Sequence, residues 1–203
     1  MLRIGKLTLA ALTATMLLGL AVSNASANHL STNELGFRIT WASLEFSETV
    51  FRIGIRCPVT LEGAFSSATI AKVTGAAIGS VNRVTVRNES CTGGHATALT
   101  ERLPWRITYE AFTGTLPRIT GIKVLLIRPA FRIEVAGIIN CLSEPARILG
   151  IIIGAIEAGG AFKPESLTPE REVNRCGEIN GVFGGTGVVS RAGSTARTLI
   201  TLI

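Results

Sequence analysis

The chain has 203 residues and a net charge of +6. Its 14 acidic residues are all Glu, because Asp does not occur in the sequence, and Gln is absent as well. This composition excludes a calcium loop built on Asp, an aspartic dyad and a Ser-His-Asp triad. The charge favours attraction to anionic surfaces, but the chain lacks the clustered Lys and Arg of a nucleic-acid-binding face, so we expect no nucleic-acid partner.

The first 27 residues have the order of a secretory signal peptide. Arg3 and Lys6 form a basic segment, an uncharged apolar run extends from Leu7 to Val22, and Ala25-Ser26-Ala27 supplies the small residues of a leader-peptidase site. The apolar run is shorter than the roughly 20 residues of a stable membrane span. We therefore expect cleavage after this segment, export to the cell envelope or the medium, and one domain over residues 28–203 without a transmembrane segment.

The four cysteines all follow the predicted signal peptide. They are Cys57, Cys91, Cys141 and Cys176. An even number of cysteines in an exported chain predicts two disulfides. The nearly equal separations of 34 and 35 residues favour pairing the first with the second and the third with the fourth, although the other connectivities stay open. A metal site requires closer pairs, so we expect no metal and no cofactor.

Strand patterns dominate the mature chain. Apolar and polar residues alternate over Phe37–Trp41, over Phe51–Arg56 and over Phe131–Val135. This period of two is typical of half-buried antiparallel strands. Glycines and prolines between such segments predict frequent turns. We therefore predict an all-β antiparallel fold, either a β-sandwich or a flattened β-barrel.

One segment departs from the alternation. Arg147 and Glu157 enclose nine uncharged residues, Ile148 to Ile156, which are rich in isoleucine and contain two glycines. β-Branched residues and glycine disfavour a helix, so we predict a strand buried on both faces. A helix packed on the sheet and a membrane-inserting hairpin are the alternatives.

Five arginines recur on the polar sides of the predicted strands and form the candidate binding residues. They are Arg38, Arg52, Arg56, Arg106 and Arg132. On neighbouring strands their guanidinium groups would form a stripe that binds phosphate or carboxylate on an anionic envelope polymer or a membrane surface. The alternative is cross-strand pairing with Glu45, Glu110 or Glu134 on a solvated face.

The other chemically capable side chains are few. His95 follows two glycines without a partner at motif spacing, so we interpret it as a loop histidine. Trp41 and Trp105 share the phase of the inward residues and should pack in the core.

Two functional hypotheses of different classes follow. The first is a non-catalytic exported protein that binds or structures a component of the cell envelope. The second is a hydrolase acting on envelope polymers, which needs two glutamates roughly 5–10 Å apart; Glu62, Glu110 and Glu134 are the candidates. A lesser third hypothesis is a membrane-active protein that inserts the isoleucine-rich segment.

Overall fold

The computed structural model of the protein describes residues 29–48, 54–135, 139–157, 159–170, 173–176 and 179–203. The predicted signal peptide and Arg52 lie outside these ranges and are untested. The described strands, in chain order, are β1 (His29–Thr32), β2 (Gly36–Glu48), β3 (Gly54–Phe65), β4 (Thr69–Ala71), β5 (Ala77–Val86), β6 (His95–Ala98), β7 (Trp105–Thr115), β8 (Arg118–Ile127), β9 (Phe131–Val135), β10 (Ile139–Ser143), β11 (Arg147–Ile156), β12 (Ala161–Pro169), β13 (Val173–Cys176), β14 (Ile179–Gly184), β15 (Gly187–Arg191) and β16 (Ile200–Leu202).

Helical structure in the described ranges is limited to two short 3-10 turns. They span Asn88–Ser90 and Thr100–Arg102 and flank β6. In these ranges, no helix reaches the length and apolar content that crossing a bilayer would demand.

Eight strands form a closed antiparallel barrel. In order around the barrel they are β2, β3, β5, β7, β8, β11, β12 and β15, and β15 closes the ring because it pairs with both β12 and β2. The predicted all-β antiparallel fold is confirmed, and of the two architectures left open the protein adopts the barrel.

Alternation along each strand directs apolar side chains into the barrel. On β2, Phe37, Ile39 and Trp41 are buried, whereas Arg38 and Thr40 between them face outward and are partly exposed. Trp105 at the start of β7 is buried as well, so the predicted core positions of both tryptophans are confirmed. Full burial of an apolar side chain such as Phe37 or Ile39 stabilises the fold by about 1.5–3 kcal/mol.

β14 pairs with the last residues of β2 and β13 pairs with β14, and two further groups of strands lie at the two ends of the barrel. β16 pairs with the first residues of β12 and continues through β1 to β4. At the other end, β6, β9 and β10 form a separate sheet, and Phe131 of β9 packs edge-on against Trp105 with ring centroids 5.3 Å apart. Since barrel neighbours are antiparallel, the start of β7 and the start of β12 lie at opposite ends. We call these the β9 cap and the β16 cap.

The isoleucine-rich segment forms β11, so the predicted strand is confirmed and the helix is not found. Its predicted burial on both faces is wrong: Ile152 is buried inside the barrel, whereas its neighbour Ile153 is 47% exposed. β11 is a wall strand hydrogen-bonded to β8 and β12. Only its inner face meets the core, and Ile153 on the outer face meets solvent.

One disulfide, not the predicted two, is seen among the described residues. It joins Cys57 of β3 to Cys91, as predicted from their separation. Closing a loop of 34 residues stabilises the fold by about 3–4 kcal/mol in the chain-entropy model. The second predicted bridge needs the side chain of Cys176, which lies outside the described part, so it stays a prediction.

Barrel closure depends on a close contact between Gly187 and Trp41. A Cβ atom at Gly187 would lie 2.6 Å from Cε2 of the Trp41 indole. The indole cannot easily retreat, since it is buried and its Nε1 donates to the carbonyl oxygen of Gly185 at 3.3 Å. Only glycine therefore fits at the start of β15.

We predict that Gly187→Ala lowers the free energy of unfolding by about 1–3 kcal/mol, because the methyl group overpacks the indole. Gly184→Ala is the matched control: its Cβ would meet only the Glu45 Cβ atom, at 3.7 Å, and we expect a change within about 0.5 kcal/mol. Urea unfolding followed by tryptophan fluorescence measures both. Equal effects of the two substitutions would contradict the contact.

Candidate functional site

The barrel contains a cavity of about 90 Å³. All eight barrel strands contribute inward side chains to its wall, Phe131 and Phe183 line it toward the β9 cap, and Leu30, Ile70 and Ile200 line it toward the β16 cap. The volume is several times the roughly 10–15 Å³ that a cavity needs to hold one water molecule. An apolar cavity of this kind stays dry and accepts apolar molecules.

Gly150 on β11 leaves part of this space unfilled. It lies on the inward face between Ile148 and Ile152, and a Cβ atom there would meet only the Leu167 side chain, at 3.5–3.6 Å. Those are ordinary van der Waals distances. A larger residue at this position would therefore project into the cavity without clashing at its Cβ.

Two buried polar atoms of the lining have no hydrogen-bond partner among the described residues. They are Nε1 of Trp105 and Oγ1 of Thr198. Leaving such a group unsatisfied costs about 1–3 kcal/mol, and more than nine-tenths of buried polar groups are paired. The other tryptophan of the lining, Trp41, donates its N–H to Gly185. Both atoms are sealed by neighbouring atoms and are not open to the cavity, so they destabilise the fold without offering a hydrogen bond to a ligand.

Tyr109 is a third polar residue of the lining and is almost fully buried. Burial raises its pKa above the ordinary tyrosine value, because the phenolate would be poorly solvated inside the barrel. The phenol is therefore neutral at physiological pH.

The raised pKa predicts an alkaline loss of stability. The neutral phenol contributes fully below about pH 10, where the unfolded chain is also protonated, and that contribution is lost as pH rises through the raised pKa. We expect the unfolding free energy to fall more steeply above about pH 10 in the wild type than in Tyr109→Phe. Tyr109 is the only tyrosine. Urea unfolding at stepwise pH tests this, and parallel curves would contradict it.

The structure places the four described candidate arginines, Arg38, Arg56, Arg106 and Arg132, on outer surfaces and not in the cavity. Arg38 pairs with Glu62 across β2 and β3 at 2.6 Å, and Arg56 pairs with Glu45 across the same strands at 3.3 Å. The second pair is one that the alternative interpretation anticipated.

Two of the candidate arginines have no ion pair with a described residue. Arg106 is exposed on β7, and Arg132 is exposed on β9, which belongs to the separate sheet. β3 and β5 separate β7 from β2, which carries Arg38. The described arginines are therefore dispersed over several surfaces, and anion binding by them stays a prediction.

The three glutamates of the hydrolase hypothesis lie on different strands, β3, β7 and β9. Glu62 is opposite Arg83, near the last residue of β5, whereas Glu110 lies beyond Ala77, the first residue of β5. The Glu110 carboxylate accepts a hydrogen bond from the Thr108 hydroxyl group at 3.1 Å. Glu134 is in the separate sheet, opposite the exposed His95. In the described part of the chain, no three His, Cys or Glu side chains group closely enough to hold a metal ion.

Comparison with known proteins adds no functional information. No protein-family model matches the chain, and neither a curated protein nor a solved structure is significantly similar to it. Among the described residues, the cavity is the feature that most directly suggests a function. The sequence reasoning did not identify it, because alternation marks inward positions without showing whether they fill the interior. Gly150 within the isoleucine-rich segment was the available signal.

Proposed function

We propose that this chain is an exported, non-catalytic binding protein whose barrel interior holds a small apolar molecule. The observation that carries the proposal is the cavity itself. It lies inside the ring of strands, and its surface is almost wholly apolar. Small-molecule sites in proteins are likewise concave and predominantly apolar.

The chemistry of the lining supports binding over hydrolysis. Among the described residues that form it there is no Glu, His, Lys, Arg or Cys. Its hydroxyl groups belong to Tyr109 and Thr198, and burial keeps the first of these in its neutral form. General acid–base and nucleophilic catalysis require side chains that exchange protons near neutral pH. A site of this composition retains a ligand and leaves it chemically unchanged.

The β16 cap is the natural entrance. β16 pairs with β12 at only two positions, opposite Ala161 and Phe162, whereas β2 and β3 pair along most of their length. Elements held by few hydrogen bonds and small contact areas open locally at low free-energy cost. A ligand would therefore enter between β16 and the barrel without disturbing the wall.

Export and the second disulfide belong to the same proposal. The basic, apolar and small segments at the N-terminus support export, and so does the bridge between Cys57 and Cys91. Cys141 is not a free thiol, and its strand β10 contacts β13, the strand that ends at Cys176. We infer a Cys141–Cys176 bridge from this juxtaposition.

The exported protein should contain no titratable thiol when it is denatured without a reductant, because both bridges form in an oxidising compartment. Its N-terminus should begin at Asn28. A thiol reagent and N-terminal sequencing of protein recovered from the culture medium or the envelope measure the two properties. Free thiols from Cys141 and Cys176, or a chain that still begins at Met1, would contradict the proposal.

Substitution of Gly150 by larger residues, whose side chains fill the cavity, tests whether the cavity binds a ligand. We expect cumene to raise the Tm of the wild type, because a ligand that binds only the native state stabilises it. Gly150→Val should abolish this shift, since its side chain occupies the ligand space. Gly150→Ala should weaken the shift and stabilise the free protein by about 0.4–1 kcal/mol.

Gly184→Ala is the matched control, because Gly184 lies on β14 outside the cavity lining. It should keep the full cumene shift. The proposal fails if cumene leaves the wild-type Tm unchanged, or if Gly150→Val responds as the wild type does.

A further inference from the structure

We propose that the outer face of the barrel around β11 docks on an anionic phospholipid bilayer. This face, which we call the β11 face, has a basic row and an apolar strip. The basic row consists of Arg106, Arg128 and Arg147, and the apolar strip of Leu149, Ile151 and Ile153. The inference goes beyond the proposed function, because it concerns the outer surface and not the cavity.

The register of three neighbouring strands brings the basic row together. Arg106 of β7 and Arg147 of β11 lie opposite Ile127 of β8, one on each side of it. Neighbouring strands are about 4.8 Å apart, so the two arginines are separated by about 10 Å. Arg128 follows Ile127, and its backbone N–H donates to the carbonyl oxygen of Ala146, the residue before Arg147, at 3.1 Å. All three arginines are exposed.

The basic row has no ion pair with any described residue, whereas six other arginines of the described part have one. The carboxylate of Glu144, three residues before Arg147, is engaged by Arg102. Among the described residues other than glycine, Arg128 alone has a positive φ, at 56°. Strained backbone of this kind is common at ligand sites. Since guanidinium groups bind phosphate bidentately, the row is suited to an external phosphate group.

The apolar strip continues the same face along β11. Its three residues alternate with residues that line the cavity, so they point away from the barrel interior. Ile153 is 47% exposed, and Leu149 and Ile151 are partly exposed. Lys123 lies opposite Ile151 but pairs with Glu170 at 3.3 Å. The strip therefore presents aliphatic surface to solvent directly beside the arginines.

This combination favours a bilayer over other partners. A soluble phosphate compound would contact the arginines and leave the apolar strip in water. At a bilayer surface, basic side chains contact anionic headgroups while neighbouring aliphatic side chains enter the boundary with the acyl chains, and the two contributions add. A symmetric contact between two copies of the β11 face would bury the strip but would leave the arginines without an acidic partner.

Co-sedimentation of the full exported protein with vesicles tests the basic row. Vesicles of phosphatidylglycerol and phosphatidylcholine in equal parts should bind the protein more tightly than vesicles of phosphatidylcholine alone. Arg106→Gln and Arg147→Gln should each lower the affinity for the anionic vesicles about fivefold, which is the contribution of one basic residue near an anionic surface.

Arg87→Gln is the matched control for charge. Arg87 is exposed, has no ion pair with a described residue, and donates its backbone N–H to Pro58 of β3, the strand that lies across the ring from β11. Because salt screens charges at that distance from the bilayer, the affinity should stay within about twofold of the wild type.

Ile153→Thr tests the apolar strip and keeps a β-branched side chain on the strand. It should lower the affinity for the anionic vesicles about fivefold, because less apolar surface is buried on docking. Leu35→Thr is the matched control: Leu35 is also 47% exposed but precedes β2, outside the β11 face, and its substitution should leave the affinity unchanged. The substituted side chains are all exposed, so every variant should unfold at the wild-type Tm.

The outcomes distinguish the bilayer from other occupants. A loss in Arg106→Gln with none in Ile153→Thr, or release of the protein from vesicles by soluble glycerol phosphate, would assign the row to a soluble phosphate compound and overturn the inference. A dimer in solution that Ile153→Thr dissociates would assign the strip to a second copy and overturn it as well. Equal binding to both kinds of vesicle, or equal losses in Arg87→Gln and Arg106→Gln, would also contradict it. The cumene shift reports on the cavity separately, so these outcomes leave the proposed function unaffected.

Discussion

The pairing of β15 with two strands is the constraint on which the rest of the structure depends. β15 hydrogen-bonds to β12 through Val188 and Gly187 and to β2 over four positions, and this converts an open sheet into a ring. Without it, β2 and β12 would expose unpaired backbone groups, and the apolar faces inside would meet water. The same strand begins with the glycine that lets Trp41 lie flat against the backbone. Closure of the ring and packing of its interior therefore depend on the same strand, β15.

Closure also explains why the interior is incompletely filled. A barrel of eight strands is just wide enough for side chains to fill, or to hold one small ligand. Here β11 contributes Gly150 at an inward position where its neighbours contribute isoleucines. The vacant space and the unpaired Trp105 Nε1 and Thr198 Oγ1 atoms each cost free energy in the unliganded protein. A ligand that fills the space would offset the part of that cost that comes from the cavity.

The outer surface carries ion pairs between neighbouring strands. Arg38, Glu62 and Arg83 lie on three adjacent strands and form a chain of ion pairs, with Glu62 between the two guanidinium groups. Partly exposed pairs of this kind contribute at most about 1 kcal/mol each. They maintain the register of β2, β3 and β5 on the solvated face, while the inner face provides most of the stability. Apolar side chains also reach this surface, because Ile153 of β11 and Val188 of β15 remain exposed.

Local pattern alone determined the β class and the inward phase of Trp41 and Trp105, and it favoured the pairing of Cys57 with Cys91 without excluding the other connectivities. Those features depend on alternation and on loop length, which can be read along the chain. The ring, the cavity and the exposed face of β11 were decided by the tertiary structure, because each depends on which distant strands become neighbours. The sequence placed arginines on outward faces, but the register determined that Arg38 and Arg56 meet glutamates. Whether an inward position touches a partner or an empty space is a property of the assembled barrel, since it depends on residues as remote as Gly150 and Thr198.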